Sequence, residues 1–180
     1  MPKYLLYFKT FAPALIVLLV DQLSKNLVKI ILVKDAIPID IIGHYLQFTY
    51  VVNSGAAFGL KIEDSLIYSI LFLLTFLITV YIIYYLVSVK EQMNYETISL
   101  SLILGGALGN LVDRGLTVFH IADYTGVIDF IYIGISRDPS GRWYIFNIAD
   151  MSVTIGICLY LFYTYYYSNK KKEDIIDERS

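Results

Sequence analysis

The chain has 180 residues, 57% of them hydrophobic and 17% charged, with a mean hydropathy of +0.63 and a formal net charge of −2. That length bounds it to one domain, and the apolar excess excludes an ordinary soluble fold in favour of a polytopic membrane protein. No basic stripe offers a surface for nucleic acid, and the single cysteine, Cys158, excludes disulfides within the chain and reads as a small buried hydrophobe.

The first apolar run follows Lys3 and ends in Asp21 and Lys25 with no small-residue cleavage pattern, so a retained helix over Tyr4 to Lys25 is expected rather than a cleaved signal peptide. Asp21, Lys25 and Lys29 recur at i, i+4 and i+8, which places them on one helix face. They form either a surface ion-pair ladder, worth a few tenths of a kcal/mol per pair, or a face on which Asp21 has a functional role. The long connection 34–65 contains HYLQFTYVVNSGAAFGL, an aromatic and β-branched strand pattern that stops in turn chemistry at Asn53, Ser54 and Gly55.

A second span over Leu66 to Val89 leads by a short connection to a third over Thr97 to Val112, which is short and glycine-rich. Gly105 and Gly109 in this span have the spacing of a close helix contact. Asn110, Asp113 and Arg114 then fall at i, i+3 and i+4. They read either as an Asp113/Arg114 anchor at the interface or as a polar wall around a site, with the fork of Arg114 holding several acceptors at once. The second long connection, 113–147, carries GVIDFIYIGI, again strand-like, followed by a turn at RDPSGRW, so the two strand segments are able to pair into a small outer sheet.

The fourth span is Ile148 to Tyr167, with Asn147 as its N-cap and Asp150 at the third helical position, a capping box with Asp in place of Glu. The whole of 1–169 reads as a single four-helix domain, and 170–180 as a charged, solvated tail. Lysines and arginines favour the side of the termini, with Lys3, Lys9, Lys90, Lys170, Lys171, Lys172 and Arg179 against Lys34, Lys61, Arg114, Arg137 and Arg142. The termini are therefore expected in the cytoplasm and the long connections outside.

Capping accounts for Asp150 but not for Asp129, which in strand alternation shares a face with Val127 and Ile131, an expensive place for an ionised group. If the two converge, they cannot both ionise cheaply, and they share one proton. Such a dyad holds a water, takes a proton from it as it attacks a carbonyl, and delivers a proton to the departing amide nitrogen, which is peptide hydrolysis. Ser24 and Lys25 point in different directions on a helix, and His44 and His120 lack metal-ligand spacing, so a Ser/Lys pair and a zinc site are set aside. The competing class is a non-catalytic small transporter or assembly factor, which needs its buried polar groups near the bilayer midplane.

Five blocks in order, DQLSK (21–25), NSGAAFG (53–59), GGALGNLVDR (105–114), VIDF (127–130) and FNIAD (146–150), resemble the lipoprotein signal peptidases, or signal peptidase II, over nearly the whole chain. The resemblance implies a mainly α membrane protein of four transmembrane helices with a small extracytoplasmic β-cradle. It implies a bacterial inner-membrane aspartic peptidase that cleaves diacylglyceryl-modified prolipoproteins before the lipidated cysteine. By motif, Asp129 and Asp150 become the catalytic dyad. Asn53, Gly55, Asn110, Arg114 and Asn147 support dyad and substrate, and Asp21 and Lys25 take a structural or substrate-facing role. No metal or organic cofactor is implied; the expected partners are the prolipoprotein, membrane lipids and globomycin-type inhibitors, with the enzyme a monomer. Between DR and VIDF the stretch GLTVFHIADYTG is longer than the family pattern and brings Asp123, a rival to Asp129 without the VIDF context. Phe58 and Tyr50 are candidates for a greasy approach to the site or for membrane anchoring.

Overall fold

In the computed structural model the described residues are 2–32, 37–43, 45–53, 65–88, 94–121, 124–134 and 145–177. Four helices, α1 (Lys3–Ile31), α2 (Ser65–Ser88), α3 (Tyr95–Val118) and α4 (Ile148–Asp177), and four strands, β1 (Ile39–Ile42), β2 (Leu46–Asn53), β3 (Val127–Ile133) and β4 (Ile145–Phe146), follow in the order α1-β1-β2-α2-α3-β3-β4-α4. All four helices contain a stretch long and apolar enough to cross a bilayer. Half of the spanning window of α3 is buried, against 17% for each of the other three, so α3 is the hub around which α1, α2 and α4 pack. The outer faces of those three remain clothed in Leu, Ile, Phe and Tyr, which water would not tolerate and lipid does.

Two spans are longer than the sequence pattern implies. Helix α1 runs on through Lys25 and Lys29 to Ile31, and α3 through Arg114 to Val118. Hydropathy stops at the first charges, whereas the backbone ladder continues through them; Lys25 and Asp113 find partners inside the bundle, while Lys29 lies outside that network. Thus Asn110, Asp113 and Arg114 lie within α3, and Gly115–Val118, the start of the stretch that looked like an extended loop, form its last turn. Helix α4 likewise continues through Lys170, Lys171 and Lys172 to Asp177, so most of the segment read as a charged tail is helical.

Close approach of the helices rests on small residues. A Cβ on Gly105 would stand 2.7 Å from the Ala14 carbonyl oxygen on α1, and one on Gly109 would stand 2.5 Å from Asp21 Oδ2 and 3.2 Å from Ala149 Cβ on α4. The glycine pair expected to mediate contact therefore meets α1 at both positions and α4 at the second. Pro13 interrupts the hydrogen-bond ladder of α1, and the amide of the next residue, Ala14, donates instead to Ser101 Oγ of α3 at 3.0 Å. Ala14, Ile82, Leu86 and Leu104 form the apolar core at this end of the bundle.

At the other end lies the sheet. Strands β1 and β2 leave from the end of α1, β3 and β4 lead from α3 into α4, and the order β1-β2-β3-β4 is antiparallel throughout. Phe48 pairs with Ile131 and Val51 with Asp129, with an irregularity between them that shifts the register. Strand β3 is buried from Val127 to Ile131, so Asp129 is enclosed on a strand whose two faces are both covered. Cys158, expected to be buried, is exposed on the outer face of α4, since the apolar run there covers the lipid side as well as the bundle side.

Candidate functional site

Two charged centres meet where α1, α3, β3 and the start of α4 converge. The deeper one is built on Lys25, 2% exposed, whose Nζ lies 2.8 Å from Asp21 Oδ2 and 2.8 Å from Asp113 Oδ2 and donates to Asn110 Oδ1 at 3.1 Å. Each carboxylate also accepts from a backbone amide. Asp21 Oδ1 accepts from Ala149 N at 2.9 Å, and Asp113 Oδ2 from Ile128 N at 3.3 Å. Gln22 Nε2 adds bonds to Gly109 O and Asp113 Oδ1. An ammonium with two carboxylates and an amide around it meets the desolvation cost of its burial with full hydrogen bonding, and each bond also ties one element to another. The alternative of an exposed i, i+4 ladder does not hold for Asp21 and Lys25, and Asp113 pairs with Lys25 rather than anchoring beside Arg114.

The second centre is shallower. Asp129, 2% exposed, accepts from Asn147 Nδ2 at 2.7 Å on Oδ1 and from Asn53 Nδ2 at 2.9 Å on Oδ2. Asn53 stands on β2 two residues beyond Val51, the partner of Asp129, and so reaches it diagonally across one sheet face. Asp150 Oδ1 accepts from Asn110 Nδ2 at 2.7 Å. The capping reading of Asp150 also holds, because Asp150 N donates to Asn147 Oδ1 at 2.9 Å and Asn147 N to Asp150 Oδ2 at 3.3 Å. Capping and site-building are thus one arrangement: the cap that starts α4 fixes Asn147 between the two aspartates.

Asp129 and Asp150 line one cavity of about 50 Å³ together with Asn53, Tyr68, Asn110 and Arg114. That is room for water. Burial pushes the Asp129 carboxyl up to about 7, the nearby Asp150 charge pushes the same way, and the amides of Asn53 and Asn147 and the Lys25 ammonium only partly offset them. The two aspartates also border a larger groove of about 540 Å³, walled by Ile145, Phe146, Met151 and Ile155, which opens along the apolar flank of α4.

Asn110 joins the centres: its Oδ1 accepts from Lys25 Nζ and from Asn147 Nδ2 at 3.1 Å while its Nδ2 serves Asp150. Arg114 stands on the wall of the small cavity, where its Nη1 donates to Thr75 Oγ1 of α2 at 3.0 Å. Of the residues singled out in the sequence, Asp21, Lys25, Asn53, Asn110, Arg114, Asp129, Asn147 and Asp150 come together here. Gly55, Phe58, His44 and the rival Asp123 lie outside the described residues. Tyr50 does not border the dyad; it faces a separate cavity on the other side of β2. Gln22, Tyr68 and Thr75 escaped the sequence reading. Thr75 had a signal, a hydroxyl inside a strongly apolar span; Gln22 and Tyr68 have none that separates them from interfacial polar residues in general.

Fold and site together define an integral membrane protein that keeps hydrogen-bonded carboxylates, carboxamides and a lysine at one end of a four-helix bundle beneath a small sheet. A family model described as signal peptidase (SPase) II matches residues 13–166, and the chain belongs to that family of membrane peptidases. It is similar to the lipoprotein signal peptidase of Chlorobium phaeobacteroides (strain DSM 266), 32% identical over 158 residues that cover 85% of this chain and 88% of the relative. The lipoprotein signal peptidase of Borreliella afzelii is 31% identical over 166 residues, covering 91% and 94% respectively. Among solved structures it is similar to a bacterial membrane enzyme determined by the in meso method at 2.3 Å resolution, with a TM-score of 0.72, 30% identity and 92% of each chain covered.

Proposed function

We propose that this chain is an aspartic endopeptidase that removes the signal peptide from diacylglyceryl-modified prolipoproteins, cutting before the lipidated cysteine, with Asp129 and Asp150 as its dyad. One observation carries the reading: two carboxylates from different elements line the same water-sized cavity, each held by a carboxamide. The pair carries one proton, and burial favours Asp129 as its holder. One carboxylate takes a proton from a water between them as its oxygen adds to the scissile carbonyl carbon. The other gives its proton to the amide nitrogen as the C–N bond breaks, and the pair ends with one proton, as it began. Arg114 and Asn110 on the same wall are placed to steady the developing oxyanion.

The apolar groove along α4 supports lateral entry from lipid, since a diacylglyceryl cysteine keeps its chains in the bilayer while its backbone reaches the dyad. Placement at a bundle end, in a strand and in the first turn of α4, weighs against a transporter, which needs its charges at mid-span. With the termini cytoplasmic, that end and the sheet face outward. The test is cleavage of a lipidated prolipoprotein by the purified protein in detergent. Asp129→Asn and Asp150→Asn are each expected to lower the rate about 100-fold or more, whereas Asp123→Asn retains most of it. Undiminished turnover in either dyad variant removes that residue from the mechanism. Equal cleavage of an unlipidated substrate refutes the substrate class.

A further inference from the structure

Lys29 lies one turn beyond Lys25, yet it leaves the polar centre. Its Nζ sits 4.3 Å from the ring centroid of Tyr124. The two residues line a cavity of about 210 Å³ with Tyr50, Val52, Thr125 and Ile128, none of which borders the dyad cavity or the apolar groove. Strand alternation explains the separation, because Tyr50 and Val52 on β2, and Ile128 on β3, point away from the face that carries Asn53 and Asp129.

The side-chain polar groups of this cavity all donate: an ammonium, two phenols and the Thr125 hydroxyl, with no carboxylate among the described lining residues. Among the described residues Lys29 Nζ, Tyr50 Oη and Tyr124 Oη have no hydrogen-bond or ion-pair partner. Burial first, and the Asp113 carboxylate second, push both phenols up, so they remain protonated donors at neutral pH. The Asp113 charge that reaches this cavity is itself offset by Lys25 at 2.8 Å. Lys29 stands in the last turn of a helix long and apolar enough to span a bilayer, and basic residues at the ends of such helices meet lipid phosphates. A tetrahedral phosphate, with several acceptor oxygens, is able to use a cation and three hydroxyls at once, which a flat carboxylate does less well.

We propose that this cavity binds the phosphate ester of an anionic membrane phospholipid, with Lys29 supplying the charge and Tyr50, Tyr124 and Thr125 the hydrogen bonds. The site is independent of the peptidase reading. The experiment is a titration of the delipidated full chain in neutral detergent with phosphatidylglycerol or phosphatidylcholine, followed by native mass spectrometry, with and without inorganic phosphate. Preferential retention of phosphatidylglycerol, weakened about tenfold by Lys29→Gln and to a lesser degree by Tyr124→Phe, supports the site. Partial displacement of the retained lipid by inorganic phosphate places its headgroup in the phosphate-binding cavity, whereas binding of inorganic phosphate that is lost in Lys29→Gln while lipid retention is unchanged overturns the lipid assignment in favour of a soluble anion. Equal retention by wild type and Lys29→Gln, or of the two lipids by wild type, overturns the proposal. Tyr50→Phe, which removes only a hydroxyl, serves as the second test if Lys29→Gln does not fold.

Discussion

Replacing Asp129 with asparagine isolates the consequence of burying a carboxyl beside a second one. The group is carried from an ordinary value of 3.8 to about 7, chiefly by burial. At about 1.4 kcal/mol per pH unit, ionising it in the folded protein above neutrality costs about 4 kcal/mol more than ionising it in the unfolded chain. Because the folded value is raised, this contribution to stability is fully present below pH 4 and is lost as pH rises through about 7. Asp129→Asn abolishes the titration. It also turns an NH2 group toward the Asn53 or Asn147 amide, both of which donate to residue 129, and that cost is independent of pH. The stability of the variant minus that of the wild type should therefore start negative at pH 4 and rise by about 4 kcal/mol before levelling near pH 8. Thermal unfolding of both proteins in the same detergent between pH 4 and 9 measures it. A difference that stays flat across that range refutes the raised carboxyl, and with it the sharing of a proton near neutrality.

Lys25→Met leaves Asp21 and Asp113 buried and facing one another, at 0% and 1% exposure, and should cost about 3–5 kcal/mol in detergent unfolding. Adding Asp21→Asn and Asp113→Asn to it should recover a large part of that loss, and no recovery would show that charge is not the cause. Gly109→Ala puts a methyl 2.5 Å from Asp21 Oδ2, so a loss of about 1–3 kcal/mol is expected, accompanied by reduced cleavage because Asp21 also holds the amide of Ala149 next to Asp150. A globomycin-type cyclic peptide should compete with prolipoprotein for the groove beside α4, raising KM without lowering kcat; purely noncompetitive inhibition would place it elsewhere.

Much of this protein is decided within single segments. Hydropathy over windows of about 20 residues sets the number and order of the spans, because a bilayer rewards every apolar residue alike whatever its neighbours. The alternation in 46–53 and 127–133 sets the two central strands, and Asn147 with Asp150 sets the start of α4, since all three depend on neighbours a few residues away. The five ordered blocks carried the family for the same reason: they are local strings.

What the tertiary structure decided is which polar groups meet. Asp21 reaches the amide of Ala149 across 128 positions, and Lys25 reaches Asn110 across 85, and no helical or strand period extends that far. Hence the stripe Asp21, Lys25, Lys29, uniform in the sequence, divides in space, two members buried in an ion network and the third turned to a tyrosine cavity. Hence too α1 and α3 outrun their apolar windows. The bundle supplies Lys25 and Asp113 with partners that hydropathy, summed residue by residue, has no means to register.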